Sequence, residues 1–337
     1  MMQIKCVVCE KEFTPHLSFQ TQKEGENTLH FCSQLCLLQY KTSKKVKCSV
    51  CGTEFFLSKV FQREEIGFST YFYCSLICRD RHSGISETKT RTRRIAVMNQ
   101  KGGTGKTTTA VNLAAGIAEK GIKTLLVDMD PQGSVGVSLG IRNEKTIADF
   151  LMNRVTLTDC IIPVRKDLDV ITANDRLSMS EFEFVRDDPN AFRMRECFSK
   201  ITDYRYIVVD CPPSMSYLGR AVLNFCNEII IPVSCDYLSF MGTQNIIKSI
   251  NYINEFLKRD IVVTGILPTF FDIRNRISHL ILQDLQKNFQ EKCLSPIRIN
   301  TRLREAPIHR MSIFEYAPDS HGAEDYNLLV EKVLHYQ

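Results

Sequence analysis

From residue 95 onward, short apolar runs rich in β-branched residues alternate with longer stretches of helical period. The runs at 95–98, 124–127, 168–171, 206–209, 229–233, 261–266 and 297–299 predict strands, because near-continuous apolar character marks strands covered on both faces. Helical spacing falls at 107–119, 191–200, 219–226, 243–257, 277–289 and 323–334. This alternation implies an α/β fold, a mostly parallel sheet with helices on both faces. Ligands of such sheets sit at the carboxyl ends of the strands, so the polar residues after each run are the first candidates for chemistry.

Ahead of residue 95 the pattern is different. Cys6, Cys9, Cys32 and Cys36 are followed by Cys48, Cys51, Cys74 and Cys78, each 42 residues after its counterpart. Neighbours repeat at the same offset: Lys5 with Lys47, Glu12-Phe13 with Glu54-Phe55, and Phe31 with Tyr73. This is an internal duplication. Each copy offers a C-x2-C knuckle and a later C-x3-C pair, and four thiolates close a tetrahedral Zn2+ site. The histidines are not shared ligands, because His16, His30 and His82 are matched by Ser58, Phe72 and Tyr40. Two zinc-binding units, each with an all-cysteine ligand set, are therefore expected. The metal would have a structural role, since about 40 residues cannot bury enough surface to fold alone. The expected division is zinc unit 1 at 1–42, zinc unit 2 at 43–82, a basic linker at 83–94, and the α/β domain at 95–337.

Composition narrows the class. The chain has 337 residues, of which 44% are hydrophobic, enough for a real core. No apolar run approaches the roughly 18 residues of a membrane span, so no membrane role and a cytoplasmic location are expected. Fourteen cysteines in that compartment argue for metal or free thiols rather than disulfides. Residues 1–94 hold 15 Lys and Arg against 9 Asp and Glu, so the basic excess lies entirely ahead of the α/β domain.

Between the first run and the first long helix stands Gln100-Lys101-Gly102-Gly103-Thr104-Gly105-Lys106-Thr107-Thr108. Strand, glycine loop and helix in that order make a phosphate loop: glycines turn backbone N–H groups toward phosphate oxygens, Lys106 neutralises the β/γ charge, and the Thr107 hydroxyl can ligate Mg2+. The pattern deviates from the ordinary one, with Gln100 in place of the first glycine and a second lysine, Lys101, five positions before Lys106. Two later runs end in carboxylates. Asp128 and Asp130, spaced two apart, are expected to point the same way, and Asp210 can hold Mg2+ through a water.

In their order and spacing, K-G-G-T-G-K-T-T, D-M-D-P-Q-G and V-V-D-C-P-P-S resemble the ParA/Soj branch of the ParA–MinD deviant-Walker P-loop ATPases. The likeness runs from about residue 94 to the C-terminus. It implies ATP rather than GTP, which the lack of an N-K-x-D motif also favours, and an ATP-dependent homodimer in which Lys101 reaches the partner's phosphates while Lys106 and Thr107 act in cis. Asp130 would position or activate the attacking water and Asp210 would be the Walker B carboxylate. Gly102, Gly103, Thr104, Gly105 and Thr108 would complete the nucleotide cradle, and Arg274 and Arg302 would bind DNA non-specifically. The cysteine repeats resemble the treble-clef-like TRASH, MYM or FCS fingers.

The resulting expectation is a nucleoid-associated partition or positioning ATPase. It would dimerise on ATP, coat non-specific DNA, and release when a ParB-like or other partner stimulates hydrolysis, moving chromosome, plasmid or other cargo. The alternative is a zinc-finger adaptor that reads nucleic acid or protein, with the ATPase domain as its switch.

Overall fold

The computed structural model describes residues 92–199, 201–256 and 260–336, together with 4–7, 12–15, 20–24, 27–32, 37, 40, 45–52, 54–56, 63–66, 69–73 and 82. Two compact units emerge, Met1–Thr90 and Arg91–Gln337.

In the first unit the duplication is visible as architecture. Strands β1 (Ile4–Lys5) and β2 (Glu12–Phe13) pair antiparallel, as do β5 (Lys45–Lys47) and β6 (Glu54–Phe56). The hairpin β3 (Thr21–Glu24) with β4 (Asn27–His30) recurs 42 residues on as β7 (Arg63–Ile66) with β8 (Ser69–Phe72). Even single hydrogen bonds repeat: Val7 N donates to His30 O at 2.9 Å, and Ser49 N to Phe72 O at 2.7 Å. Each copy buries one aromatic completely, Phe31 and Tyr73, beside one cysteine, Cys6 and Cys48. Phe31 packs against Tyr40, and Tyr73 against His82, which is the matched position.

The second unit is a seven-stranded sheet in the order β11-β12-β10-β13-β9-β14-β15. Its strands are β9 (Arg93–Val97), β10 (Thr124–Asp128), β11 (Ile162–Arg165), β12 (Leu168–Ile171), β13 (Tyr206–Asp210), β14 (Glu228–Ser234) and β15 (Val262–Thr269). All neighbours are parallel except β11 with β12. The helices are α1 (Lys106–Glu119), α2 (Ser134–Leu139), α3 (Ile147–Leu151), α4 (Leu157–Cys160), α5 (Arg176–Asp187), α6 (Arg193–Cys197), α7 (Tyr217–Phe225), α8 (Tyr237–Phe256), α9 (Arg276–Phe289), α10 (Thr301–Glu305), α11 (Ile313–Tyr316) and α12 (His321–His335).

Side-chain alternation along the strands divides the core in two. Ile95, Val97, Leu126, Val208 and Ile230 face α1 and α12, whereas Ala96, Val127, Ile207, Val209 and Ile231 face α3, α5, α7, α8 and α9. The expected α/β architecture with helices on both faces is therefore present. On the first face α1 approaches closely, and a Cβ added at Gly116 would lie 2.6 Å from Val330 Cγ2 and 2.8 Å from the Phe314 ring.

The sequence expectation differs from the fold in several places. Edge strand β11 was not expected, because Pro163 interrupts its pattern and removes a ladder donor, which only an edge strand tolerates. Helix α5 was also unexpected; it buries Leu177 and Phe184 while Met179 and Phe182 stay exposed. The run at 297–299 forms no strand. It meets β15's continuation through a single bridge, Phe271 with Arg298, flanked by the Phe271 N to Ile297 O and Ile299 N to Phe271 O bonds. Helix α8 starts six residues early, because Asp236 accepts the Ser239 N–H and so caps the turn.

Candidate functional site

Parallel register brings the chemistry to one edge. Val97 pairs with Asp210, and Asp210 with Asp128, so the phosphate loop leaves β9 beside the ends of β13 and β10. Asn99, almost fully buried, anchors the loop's entry. Its amide donates to Pro232 O at 2.6 Å, and its Oδ1 accepts Lys101 N–H at 3.0 Å. Gly103 and Gly105 hold φ of 73° and 83°, values that disfavour a side chain. A Cβ at Gly102 or Gly103 would meet no atom of the described residues within 4 Å, so both glycines border open space. Thr104 is buried, and its O accepts the Thr269 hydroxyl at 3.0 Å, tying the loop to the end of β15. Thr108 lies in the first turn of α1 and its O accepts the Asn112 amide.

Lys106 lies inside this cradle, 8% exposed, with Nζ donating to Lys101 O at 3.2 Å. Burial pushes its ammonium below the usual range, against the pull of Asp210 and Asp130. Thr107 Oγ1 donates to Asp210 Oδ2 at 2.6 Å. Asp210 is fully buried, and its Oδ1 has no hydrogen-bond partner among the described residues. Burial raises its pKa to about 7, opposed by the Thr107 bond, raised further by the Asp130 charge and lowered by Lys106. A buried carboxylate with one orphaned oxygen, hydrogen-bonded to a threonine hydroxyl, is the donor set a hard divalent cation takes. The residues therefore fit magnesium with a nucleotide phosphate.

The two carboxylates of the Asp128 turn do not act alike. Strand alternation stops at Asp128, where β10 ends. Asp128 is fully buried and accepts the N–H groups of Asp130 at 3.0 Å and Val135 at 3.1 Å, so it staples the turn into α2. Burial and the Asp210 charge push its carboxyl well above the usual range, with the backbone bonds opposing. Asp130 caps its own turn through Gln132 N–H at 3.0 Å and stays close enough to act on both Lys106 and Asp210.

Lys101 does not enter the cradle. Its Nζ lies 2.8 Å from Asp236 Oδ1 and 2.9 Å from Ser239 Oγ, with the side chain 39% exposed. Burial would raise the Asp236 carboxyl, but hydrogen bonds from Lys101 and from the Ser239 N–H and hydroxyl outweigh it and hold it low. Sequence reasoning missed Asp236 and Ser239. Asp236 stands just past the carboxyl end of β14, the same kind of place that marked Asp210, and that was the available signal. Phe270 was missed as well: it has φ of 52°, rare for an aromatic, and its ring edge lies 3.7 Å from where a Cβ on Gly105 would sit.

The expected DNA-binding arginines are both engaged in local ion pairs. Arg274 forms a two-pronged pair with Asp272 at 3.1 Å, and Arg302 pairs with Glu305 at 2.8 Å. Both remain largely exposed. Of the expected zinc ligands, Cys6 and Cys32 belong to one small cluster, Cys48 is buried and Cys51 exposed, while Cys9, Cys36, Cys74 and Cys78 lie outside the described residues. Among the described residues no group of three or more His, Cys, Asp or Glu side chains is placed to hold a metal ion, and no helix is long and apolar enough to cross a membrane.

Comparison with known proteins follows the same lines. A family model described as an AAA domain matches residues 92–263. Chromosome partitioning protein ParA of Myxococcus xanthus is 36% identical over 246 residues, covering 71% of this chain and 87% of that protein. Sporulation initiation inhibitor protein Soj of Bacillus subtilis is 36% identical over 245 residues, covering 71% of this chain and 97% of that protein. Among solved structures, cobyrinic acid a,c-diamide synthase from Mycobacterium smegmatis with bound ATP analog and magnesium is similar at a TM-score of 0.64 and 26% identity, covering 73% of this chain and 96% of that one.

Proposed function

The chain belongs to the ParA/Soj family of P-loop ATPases, and from that premise we propose that it is a partition or positioning ATPase whose nucleotide state controls pairing and DNA binding. ATP enters the cradle of Gly102, Gly103, Thr104, Gly105 and Thr108, where Lys106 exchanges its bond to Lys101 O for phosphate oxygens. Thr107 and Asp210 would hold magnesium, which would supply positive charge against the β- and γ-phosphates. Asp210 then works as the ionised Walker B carboxylate, and Asp130 orients the attacking water.

The observation that carries the pairing step is the surplus lysine. Lys101 rests on Asp236 and Ser239 outside the cradle, free to turn outward to a second protomer's phosphates once that contact is given up. Apolar side chains stay exposed on the same carboxyl edge, Tyr237, Leu238 and Met241 after β14 and Val137 after β10, as an ATP-dependent homodimer would require. Exposed Arg274 and Arg302 exchange their local carboxylates for DNA phosphates, and a ParB-like or other partner triggers hydrolysis and release. Chromosome, plasmid and protein-cluster cargo all fit this cycle, which operates on the nucleoid in the cytoplasm.

The test is DNA binding by the purified protein with and without ATP, and with Asp130→Ala in ATP. ATP-dependent binding, held without turnover by Asp130→Ala, is expected; binding that is equal in all three conditions refutes the reading.

The N-terminal repeats favour a second reading. Matched burial of Cys6 with Phe31 and Cys48 with Tyr73 suits two all-cysteine zinc fingers, completed by Cys9, Cys32 and Cys36 and by Cys51, Cys74 and Cys78. In this reading the fingers recruit nucleic acid or protein and the ATPase serves as their switch. Loss of all DNA and partner binding on deleting residues 1–94 would favour it.

A further inference from the structure

The face of α5 that is turned away from the core has an order of its own. Leu177, Ser180 and Phe184 are buried, whereas Met179 is 73% and Phe182 80% exposed. With Asp175 ahead of them and Arg186 behind, these residues are spaced four, three and four apart, the interval that keeps side chains on one helical stripe. Asp175 is the cap residue, but its backbone already follows the helix (φ −57°, ψ −26°), and its carboxylate makes no capping bond. Arg186 is mostly exposed and paired with the adjacent Asp187.

Along the stripe the order is acid, apolar, apolar, base. Read from the opposite end it becomes base, apolar, apolar, acid, so an antiparallel copy of the same helix is its complement. A dyad between Ser180 and Glu181 sets Met179 against the partner's Phe182 and Asp175 against the partner's Arg186, each contact occurring twice. An isologous contact needs this self-complementarity, whereas an unrelated partner would have no use for it. The geometry points to α5 as a docking face for a second copy of this chain, a nucleotide-independent contact built on the Met179–Phe182 pair and closed by Asp175–Arg186 ion pairs. Methionine and phenylalanine at the centre with charges at the ends match the composition of interface cores and rims. Two apolar side chains per copy make a small contact, which forms reversibly at high protein concentration.

The experiment is sedimentation of the full chain without nucleotide over a concentration series, where ATP-driven pairing plays no part. Self-association is expected, with Phe182→Ser abolishing it. Asp175→Arg alone or Arg186→Asp alone places like charges opposite one another twice and weakens it roughly tenfold, and combining the two restores it. A chain that stays monomeric throughout, association indifferent to Phe182→Ser, or a double variant no better than the single ones overturns the assignment. ATP turnover by the variants is expected at the wild-type rate, so its loss would likewise overturn α5 as a contact separate from the phosphate site. Failure here leaves ATP-dependent DNA binding intact, which distinguishes it from failure of the proposed function.

Discussion

Replacing Asp236 with Asn tests whether the resting place of Lys101 opposes pairing. The substitution removes the charge facing Lys101 Nζ but keeps an oxygen that can accept the Ser239 N–H, so the start of α8 retains its cap. The pair is partly solvated, with side chains 39% and 43% exposed, so its strength is that of a surface ion pair, up to about 1 kcal/mol. Each protomer gives up one such contact when Lys101 turns to its partner. Two protomers give about 2 kcal/mol per dimer, roughly a 30-fold change in the dimer dissociation constant at the upper limit. Sedimentation velocity with a non-hydrolysable ATP analogue reads this directly: Asp236→Asn should dimerise roughly 5- to 30-fold more tightly by that arithmetic. In a Lys101→Ala background the gain should vanish, because nothing remains for Asp236 to hold. A dimer constant within about twofold of wild type, or a gain that persists without Lys101, refutes the reasoning.

Other consequences can be measured separately. Asp210 binds its proton more tightly folded than unfolded, so the nucleotide-free protein should lose stability as pH rises from the usual carboxylate range to about 7; resistance to denaturant should fall more between about pH 5 and pH 8 in wild type than in Asp210→Asn. Gly116→Ala forces a Cβ against Val330 and Phe314 and should cost about 1–3 kcal/mol in thermal unfolding, with nucleotide affinity unchanged. Arg274→Ala and Arg302→Ala should each lower the slope of log affinity against log salt by about one in DNA titrations. Metal analysis should find one zinc per repeat, lost when Cys6 and Cys48 are both replaced, with ATP turnover retained.

What could be read from the chain follows how local its cause is. The phosphate loop was legible because glycines, lysines and hydroxyls must occur in one stretch to surround a phosphate, and Asp210 because four apolar residues announce the strand it ends. The duplication was legible because covalent spacing survives folding, as the matched hairpins β3/β4 and β7/β8 show. The partner of Lys101 lies 135 residues away on a different strand end, and nothing local to either residue announces the pair. Asp128 and Asp130 were both marked by the strand they follow, but that Asp128 accepts the Asp130 and Val135 N–H groups depends on the turn into α2, which spacing alone does not reveal.

Copying a module preserves its outline but not its inventory of protons. In the first copy Phe31 meets Tyr40 ring to ring at 5.3 Å, a contact without any hydrogen bond from the phenylalanine. In the second, the equivalent pair is Tyr73 and His82, and the hydroxyl and imidazole lie 2.9 Å apart. The second copy thus centres on a hydroxyl–imidazole hydrogen bond where the first has a contact between two rings. A chimera built from two first halves would keep the silhouette and lose that hydrogen bond, so the twins, though alike in shape, are no longer interchangeable.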